Sequence, residues 1–150
     1  MEGPGPSSLQ KVIFLCTYNS VRSQMAEAIL RHVAGDRYRV FSAGITSTVV
    51  SPRALRVLDE AGISTQGLYS KSIQKFWGEE FDYVVTVCST VDKVCPALPG
   101  GHKYIRRSFP SPPEHGEDEE TVLEGFRQLR DQIWTWVDRT FVRDRSRETG

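Results

Sequence analysis

The chain has 150 residues, with 19 basic and 19 acidic side chains and a pI near 6.8. This balance argues against binding to nucleic acid or to an acidic membrane surface, which usually leaves a strongly basic field. The first ten residues carry no secretion signal, and no apolar run is long enough to cross a bilayer, so we expect a cytoplasmic protein without membrane contact.

Strand-like and helix-like segments alternate in the first half of the chain. A short apolar strand at residues 11–15 leads to an amphipathic helix at residues 22–34, which Gly35 ends. A second strand at residues 38–42 is followed by a helix at residues 52–61, opened by Pro52 and closed by Gly62.

The second half continues the alternation. Residues 81–87, "FDYVVTV", are rich in aromatic and β-branched residues and predict a buried strand. Residues 103–106 predict a weaker strand at a sheet edge. A long amphipathic helix is predicted from residue 118 to residue 141, with an acidic first turn that suits the helix dipole.

This order predicts an α/β fold in three layers, with a mainly parallel sheet and helices on both faces. We expect one domain over residues 10–142, with a disordered tail at residues 1–9 and a flexible tail at residues 143–150. Ligands of such sheets bind beyond the carboxyl ends of the strands. Cys16 and Cys88 both fall at predicted strand ends.

The loop at residues 16–22, "CTYNSVR", runs from the first strand into a helix N-terminus. Its backbone N–H groups and the helix dipole favour a tetrahedral oxyanion, and the same field stabilises a thiolate at Cys16. Arg22 offers a planar pair of donors to two oxygens of one anion. We therefore predict that Cys16 is a nucleophile and Arg22 an anion ligand; the alternative is that Cys16 is a small buried core residue.

The remaining loop residues are predicted to line the oxyanion site. Asn19 tolerates the left-handed backbone of a tight loop, and hydroxyl groups donate hydrogen bonds to the thiolate or to a leaving oxygen. The predicted substrate-binding residues are Thr17, Tyr18, Asn19, Ser20, Val21 and Ser23.

The motif Cys-x5-Arg-Ser, continued by "SQMAE" and followed by "FSAG" at residues 41–44, resembles the low-molecular-weight protein tyrosine phosphatase superfamily. Within it, "RSQMAE" and the later cysteine pair resemble the thioredoxin-coupled arsenate reductases. The resemblance spans residues 11–140. It implies a four-stranded parallel sheet, chemistry without metal or cofactor, and a small oxyanion substrate such as arsenate, phosphate or sulfate.

Cys88 and Cys95 form the later pair. A zinc site is disfavoured because the sequence has no second pair and its three histidines are scattered; inert core thiols are the other alternative. The resemblance implies that Cys16 attacks arsenic, Cys88 attacks the adduct and Cys95 attacks Cys88. Thioredoxin or a similar reductant then reduces the resulting disulfide. A helix from Cys88 to Cys95 would hold the two residues about 10 Å apart, too far for that bond, so we expect residues 88–97 to unwind.

One departure from the family pattern concerns the general acid. Relatives carry an Asp-Pro motif late in the chain, whereas here Ser111 precedes Pro112. Three explanations are open for the absent general acid. Glu114, His115 or Asp118 supplies the proton instead, the reaction proceeds without a general acid, or the natural residue at position 111 was changed. Two further functions stay open: a low-molecular-weight phosphatase of protein tyrosine or aryl phosphates that forms a phosphocysteine at Cys16, and an oxyanion-binding relative whose turnover is weakened because the acid is replaced at Ser111.

Other departures lie in and around the loop. Tyr18 stands where relatives generally have glycine, so it must adopt another conformation or bear strain, and Val21 stands where many have cysteine. Relatives also bind potassium near positions that correspond to Asn19, Glu27 and Ser42. Lys71 places a fixed cation there, so we expect no metal.

Overall fold

A computed structural model describes residues 9–88, 97–116 and 118–143. Among these residues, no helix is both long and apolar enough to span a membrane. The elements, in chain order, are β1 (Gln10–Cys16), α1 (Arg22–Ala34), β2 (Tyr38–Gly44), α2 (Pro52–Glu60), a 3₁₀ helix (Ile73–Phe76), β3 (Phe81–Thr86), β4 (Gly101–Arg106), α3 (Glu119–Val137) and a π-helical turn (Asp138–Arg143).

The four strands form one parallel sheet in the order β2-β1-β3-β4. The four-stranded parallel sheet is thus confirmed, and β4 lies at an edge as predicted. Cys16 pairs with Gly44 at the last position of β1 and β2. Because parallel strands end at the same side of a sheet, the loops after β1, β2, β3 and β4 meet there.

The two faces of the sheet are covered differently. On one face, β1 and β2 contribute side chains such as Val12, Phe14 and Val40 to a core with α1, α2 and α3. On the other face, Ile13 and Leu15 pack with Phe76 of the 3₁₀ helix. Within the described residues, the three α-helices thus share one face, and the 3₁₀ helix covers part of the other.

Most element boundaries lie within one or two residues of the sequence prediction. The 3₁₀ helix was not predicted, because four residues are too few for a periodic pattern. The final helix changes to a π-helical turn after Val137, where Phe141 is buried and its carbonyl accepts a hydrogen bond from the Tyr38 hydroxyl at 3.0 Å. Packing of this ring against β2 accompanies the change in helix type.

Candidate active site

Cys16 lies at the end of β1, and the loop after it leads directly into α1, which begins at Arg22. Its side chain is 2% exposed. The sulfur lies 2.8 Å from Oγ of Ser23, in the first turn of α1. The predicted strand, loop and helix are therefore present, with a hydroxyl group next to the thiol.

Asn19 organises the interior of the loop. It is the only non-glycine residue of the described chain with positive φ, at 55°, in agreement with its predicted left-handed backbone. Its Nδ2 donates to Oγ of Ser23 at 2.8 Å and to Oγ of Ser42 at 2.9 Å. Since the Ser23 hydroxyl oxygen accepts a hydrogen bond from Asn19, its own O–H can donate to Cys16. A hydrogen bond donated to sulfur stabilises the thiolate.

A buried charge cluster supports the far end of this network. Ser42 donates to Oε1 of Glu27 at 2.5 Å, and Glu27 also pairs with Arg31. Nζ of Lys71 lies 3.6 Å from Oε1 of Glu27. The backbone N–H of Lys71 donates to Oδ1 of Asn19 at 2.7 Å. This arrangement agrees with the expectation that Lys71 brings a cation to Asn19, Glu27 and Ser42. Burial lowers the pKa of Lys71 below its ordinary value, and Glu27 opposes that shift.

Replacing Lys71 with methionine is expected to leave the free energy of unfolding at pH 7 equal to or above that of wild type, because the lowered pKa means that burying the Lys71 charge costs more than its attraction to Glu27 contributes. The lowered pKa also makes a pH prediction. At pH values between the pKa of Lys71 in the folded chain and its higher pKa in the unfolded chain, Lys71 binds more protons in the unfolded chain. In that range Lys71 therefore makes the free energy of unfolding of the wild-type protein rise with pH. Urea unfolding from pH 7 to pH 10 should show this rise in wild type and in Lys75→Met, an exposed control, but not in Lys71→Met. An equal pH dependence in all three proteins contradicts it.

Arg22 is buried beside the loop, and its guanidinium is held by the segment that follows β4. One of its nitrogens donates to the carbonyl of Phe109 at 3.1 Å. The Phe109 N–H donates in turn to the carbonyl of Val87 at 3.3 Å, just after β3. The guanidinium is thus oriented by residues from another loop of the same sheet edge.

Gly44 allows the loop after β2 to approach the Cys16 loop. A Cβ atom at this position would lie 2.8 Å from the nitrogen of Asn19, 2.8 Å from the carbonyl oxygen of Thr17 and 2.9 Å from that of Cys16. The next residue, Ile45, donates its N–H to the Thr17 carbonyl at 2.9 Å. The glycine of "FSAG" is therefore required by close backbone packing.

Replacing Gly44 with alanine is expected to displace the Cys16 loop, because all three crowded atoms belong to backbone. We expect the free energy of unfolding to fall by about 1–3 kcal/mol. We also expect bound phosphate to protect Cys16 less well from alkylation by iodoacetamide. Gly125→Ala is the matched control, since its added Cβ meets only Pro113 at 3.9 Å. Unfolding in urea and iodoacetamide labelling measure the two effects. Unchanged labelling in Gly44→Ala counts against the close packing.

The other predicted loop residues lie around this centre. Tyr18 has an exposed side chain, and its carbonyl accepts from the Ser70 hydroxyl at 3.2 Å. Its φ is not positive, so it avoids the strain that the missing glycine suggested. The Ser20 carbonyl accepts from the N–H of Ser51, the residue that caps α2. Val21 is buried directly before α1.

Cys88 lies beside the same loop. Its side chain is fully buried, two residues after β3, and its sulfur lies 3.9 Å from Oγ1 of Thr17. The fold therefore places a second thiol against the residue that follows Cys16. Cys95, and most of the segment predicted to unwind, lie outside the described residues.

The model of the family described as low molecular weight phosphotyrosine protein phosphatase matches residues 11–135. The chain belongs to this phosphatase family. It is 38% identical over 125 residues to an arsenate reductase of Halalkalibacterium halodurans, an alignment that covers 83% of this chain and 90% of that protein.

Two solved structures extend the comparison within the phosphatase family. An arsenate reductase in the phosphate binding state is 30% identical, with a TM-score of 0.69 over 87% of this chain and 95% of that one. A thioredoxin-dependent arsenate reductase of Corynebacterium glutamicum is 27% identical, with a TM-score of 0.57, and covers 89% of this chain and 64% of its own.

Ser111, which is predicted from the sequence to occupy the position of the missing general acid, is exposed. Ser111 lies in the segment after β4, two residues from the Phe109 carbonyl that binds Arg22. The predicted substitutes lie further along: Glu114 and His115 are exposed, and the Asp118 carboxylate accepts from the Thr121 hydroxyl at 3.0 Å at the start of α3. In the part of the chain that the structure describes, no group of three or more His, Cys, Asp or Glu side chains forms a metal site.

Sequence reasoning missed two residues of this site. Gln24 donates through Nε2 to Oδ1 of Asn19 at 2.9 Å and to the Tyr69 carbonyl at 2.8 Å, and so joins the loop to the segment before Lys71. Phe109 orients Arg22 through its carbonyl. Gln24 shares its helix face with the charged residues Glu27 and Arg31, so the sequence pattern does not single it out, and a backbone carbonyl leaves no signal in the sequence.

Proposed function

We propose that this chain is an arsenate reductase in which Cys16, Cys88 and Cys95 form a thiol relay that thioredoxin regenerates. The observation that carries the proposal is the contact between Cys88 and Thr17, 3.9 Å, which places a second buried thiol beside the oxyanion loop. A phosphatase needs only the Cys16 nucleophile, whereas reduction needs a second thiol to receive the bond.

Arsenate binds in the loop at residues 16–22, where backbone N–H groups, the α1 N-terminus and Arg22 offer donors to its oxygens. The Cys16 thiolate, which accepts a hydrogen bond from Ser23 at 2.8 Å, attacks arsenic. A sulfur–arsenic bond forms, and one arsenate oxygen leaves as hydroxide and is protonated to water. The buried network of Asn19 and Ser42 keeps the Ser23 proton directed toward sulfur.

The Cys88 thiolate then attacks Sγ of Cys16. The sulfur–arsenic bond breaks and its electron pair stays with arsenic, so arsenic(V) becomes arsenic(III) and arsenite leaves. The two electrons come from the two sulfurs, which form a disulfide. Cys95 attacks Cys88, Cys16 is released as a thiolate, and thioredoxin reduces the bond between Cys88 and Cys95 with its own dithiol.

The residue at position 111 disfavours an aryl phosphate phosphatase. A phenolate is a poor leaving group and needs a proton, and serine does not supply one near neutral pH.

A single-turnover experiment tests the proposal. Fully reduced protein is mixed with arsenate in the absence of any reductant, and arsenite is measured by chromatography. We expect one arsenite for each chain and a peptide in which Cys88 is joined to Cys95. Cys16→Ser is the control and should release none. Steady phosphate release from phenyl phosphate without any arsenite from arsenate would overturn the proposal in favour of a phosphatase. Protection of Cys16 by arsenate without turnover of either substrate would favour a binding protein.

A further inference from the structure

An exposed apolar surface lies beside the site. Trp77 forms the wall shared by two shallow grooves, and we call the two grooves together the Trp77 surface. The first groove is lined by Ile45, Ile73 and Gln74 with Trp77. The second lies over β3 and β4, and its apolar lining comes from Trp77, Val84, Ala97, Leu98, Pro99 and Tyr104.

Two aromatic rings dominate this surface. Trp77 is 59% exposed and Tyr104 is 57% exposed. The Tyr104 ring is held in place, since its hydroxyl donates to the Leu98 carbonyl at 3.0 Å and accepts from the Gly101 N–H at 3.0 Å. A ring that is already held loses little freedom on binding, and Trp and Tyr are frequent energetic anchors of protein interfaces. The Trp77 surface therefore suits a protein partner.

The two ends of the Trp77 surface lie next to the two ends of the proposed relay. At one end, the N–H of Ile45 donates to the carbonyl of Thr17, the residue after Cys16. At the other end, Ala97 lines the second groove and is two residues from Cys95 in the chain. Two residues of chain span at most about 7 Å. A protein seated on this surface thus has its contact area next to the chain that carries Cys95.

We propose that the Trp77 surface is the docking site of the dithiol protein, of the thioredoxin class, that reduces the disulfide between Cys88 and Cys95. This inference rests on the proposed function. A thiolate of the docked protein attacks Cys95, the disulfide breaks, and Cys88 leaves as a thiolate and takes a proton. The second thiol of the partner then attacks the mixed disulfide and releases Cys95, so the partner is oxidised by two electrons and this chain is reduced.

The test compares two reductants on the same variants. Trp77→Ser and Tyr104→Ser are assayed for arsenate reduction with thioredoxin and its reductase, and separately with dithiothreitol, which needs no docking surface. We expect the KM for thioredoxin to rise about ten-fold in each variant, with the dithiothreitol-driven rate unchanged. Trp77→Phe should recover most of the affinity. Val49→Ser is the control, since Val49 is an exposed apolar residue that lines neither groove.

Failure of this inference is distinguishable from failure of the proposed function. If the wild-type protein forms no arsenite in a single turnover, the proposed function is wrong and so is the inference. If wild type forms arsenite but the two variants keep the wild-type KM for thioredoxin, the docking site alone is wrong. If both reductants are slowed equally, the Trp77 surface supports the chain's own cysteine segment, and docking is again overturned. Circular dichroism of each variant shows whether it is folded; a variant that is not folded is replaced by Trp77→Gln.

Discussion

Steady-state arsenate reduction is expected to fall by at least about a thousand-fold when Cys88 is replaced by serine. A serine hydroxyl is not ionised at neutral pH and does not form a disulfide, so the sulfur–arsenic adduct at Cys16 has no internal acceptor. Oxyanion binding should persist, because the contact of Cys88 with Thr17 is made by a side chain at the loop rim and Arg22 is held independently by Phe109. The loss is measured as oxidation of reduced nicotinamide cofactor coupled through thioredoxin reductase and thioredoxin.

Cys95→Ser is the informative companion of that variant. It should release one arsenite for each chain and then stop, with Cys16 joined to Cys88, whereas Cys88→Ser should release none. Protection of Cys16 from iodoacetamide by arsenate or phosphate should be close to wild type in both. Sustained turnover by Cys88→Ser contradicts the relay and leaves Cys16 to be reduced directly by an external thiol.

A second large effect is expected at Ser111. Replacing it with aspartate should raise hydrolysis of phenyl phosphate by about 10²-fold, because a carboxyl group in this segment supplies the proton that a phenolate needs. The increase should be much smaller with p-nitrophenyl phosphate, whose leaving group is stable without protonation. Ser111 lies two residues after Phe109, whose carbonyl accepts a hydrogen bond from Arg22 at 3.1 Å, so its segment is tied to the predicted oxyanion loop.

The matched control adds the same charge elsewhere in the same segment. Ser108→Asp should leave phenyl phosphate hydrolysis near its wild-type rate, since Ser108 precedes Phe109 and lies on the β4 side of the contact with Arg22. The Ser111→Asp profile should also lose activity at high pH as its acid deprotonates. Equal gains in both variants, or the same gain with both phosphate esters, would show a general charge effect and not general acid catalysis.

Several features of the site follow from residues that are neighbours in the sequence. Cys16, Asn19, Ser23 and Arg22 lie within eight positions, so a strand followed by a tight loop and a helix brings them together without help from the rest of the chain. The left-handed backbone of Asn19 belongs to this group, because it depends on the conformational preference of one residue type. The alternation of strands and helices likewise predicted the parallel sheet.

Contacts across the sheet edge depend on residues far apart in the chain. Cys88 and Thr17 are 71 positions apart, and Arg22 and Phe109 are 87 positions apart. No periodic pattern in the sequence indicates either of these contacts. The resemblance to a family suggested that Cys88 acts with Cys16, but only the packing of β3 beside β1 brings its sulfur to the loop.

The amino-acid sequence by itself determined the class of fold, and it predicted Cys16 as the nucleophile and residues 16–22 as the oxyanion loop, because local periodicity and a short motif depend on neighbouring residues. The tertiary structure decided which distant groups support that loop: Phe109 at Arg22, and Gly44 against the backbone of Cys16. The family resemblance had already suggested a cation from Lys71 near Glu27, and the structure gives the distance of that pair. The physical reason is that backbone carbonyls, close approaches and buried charge pairs act through space. Their partners are chosen by the order and register of the strands, which no single stretch of sequence specifies.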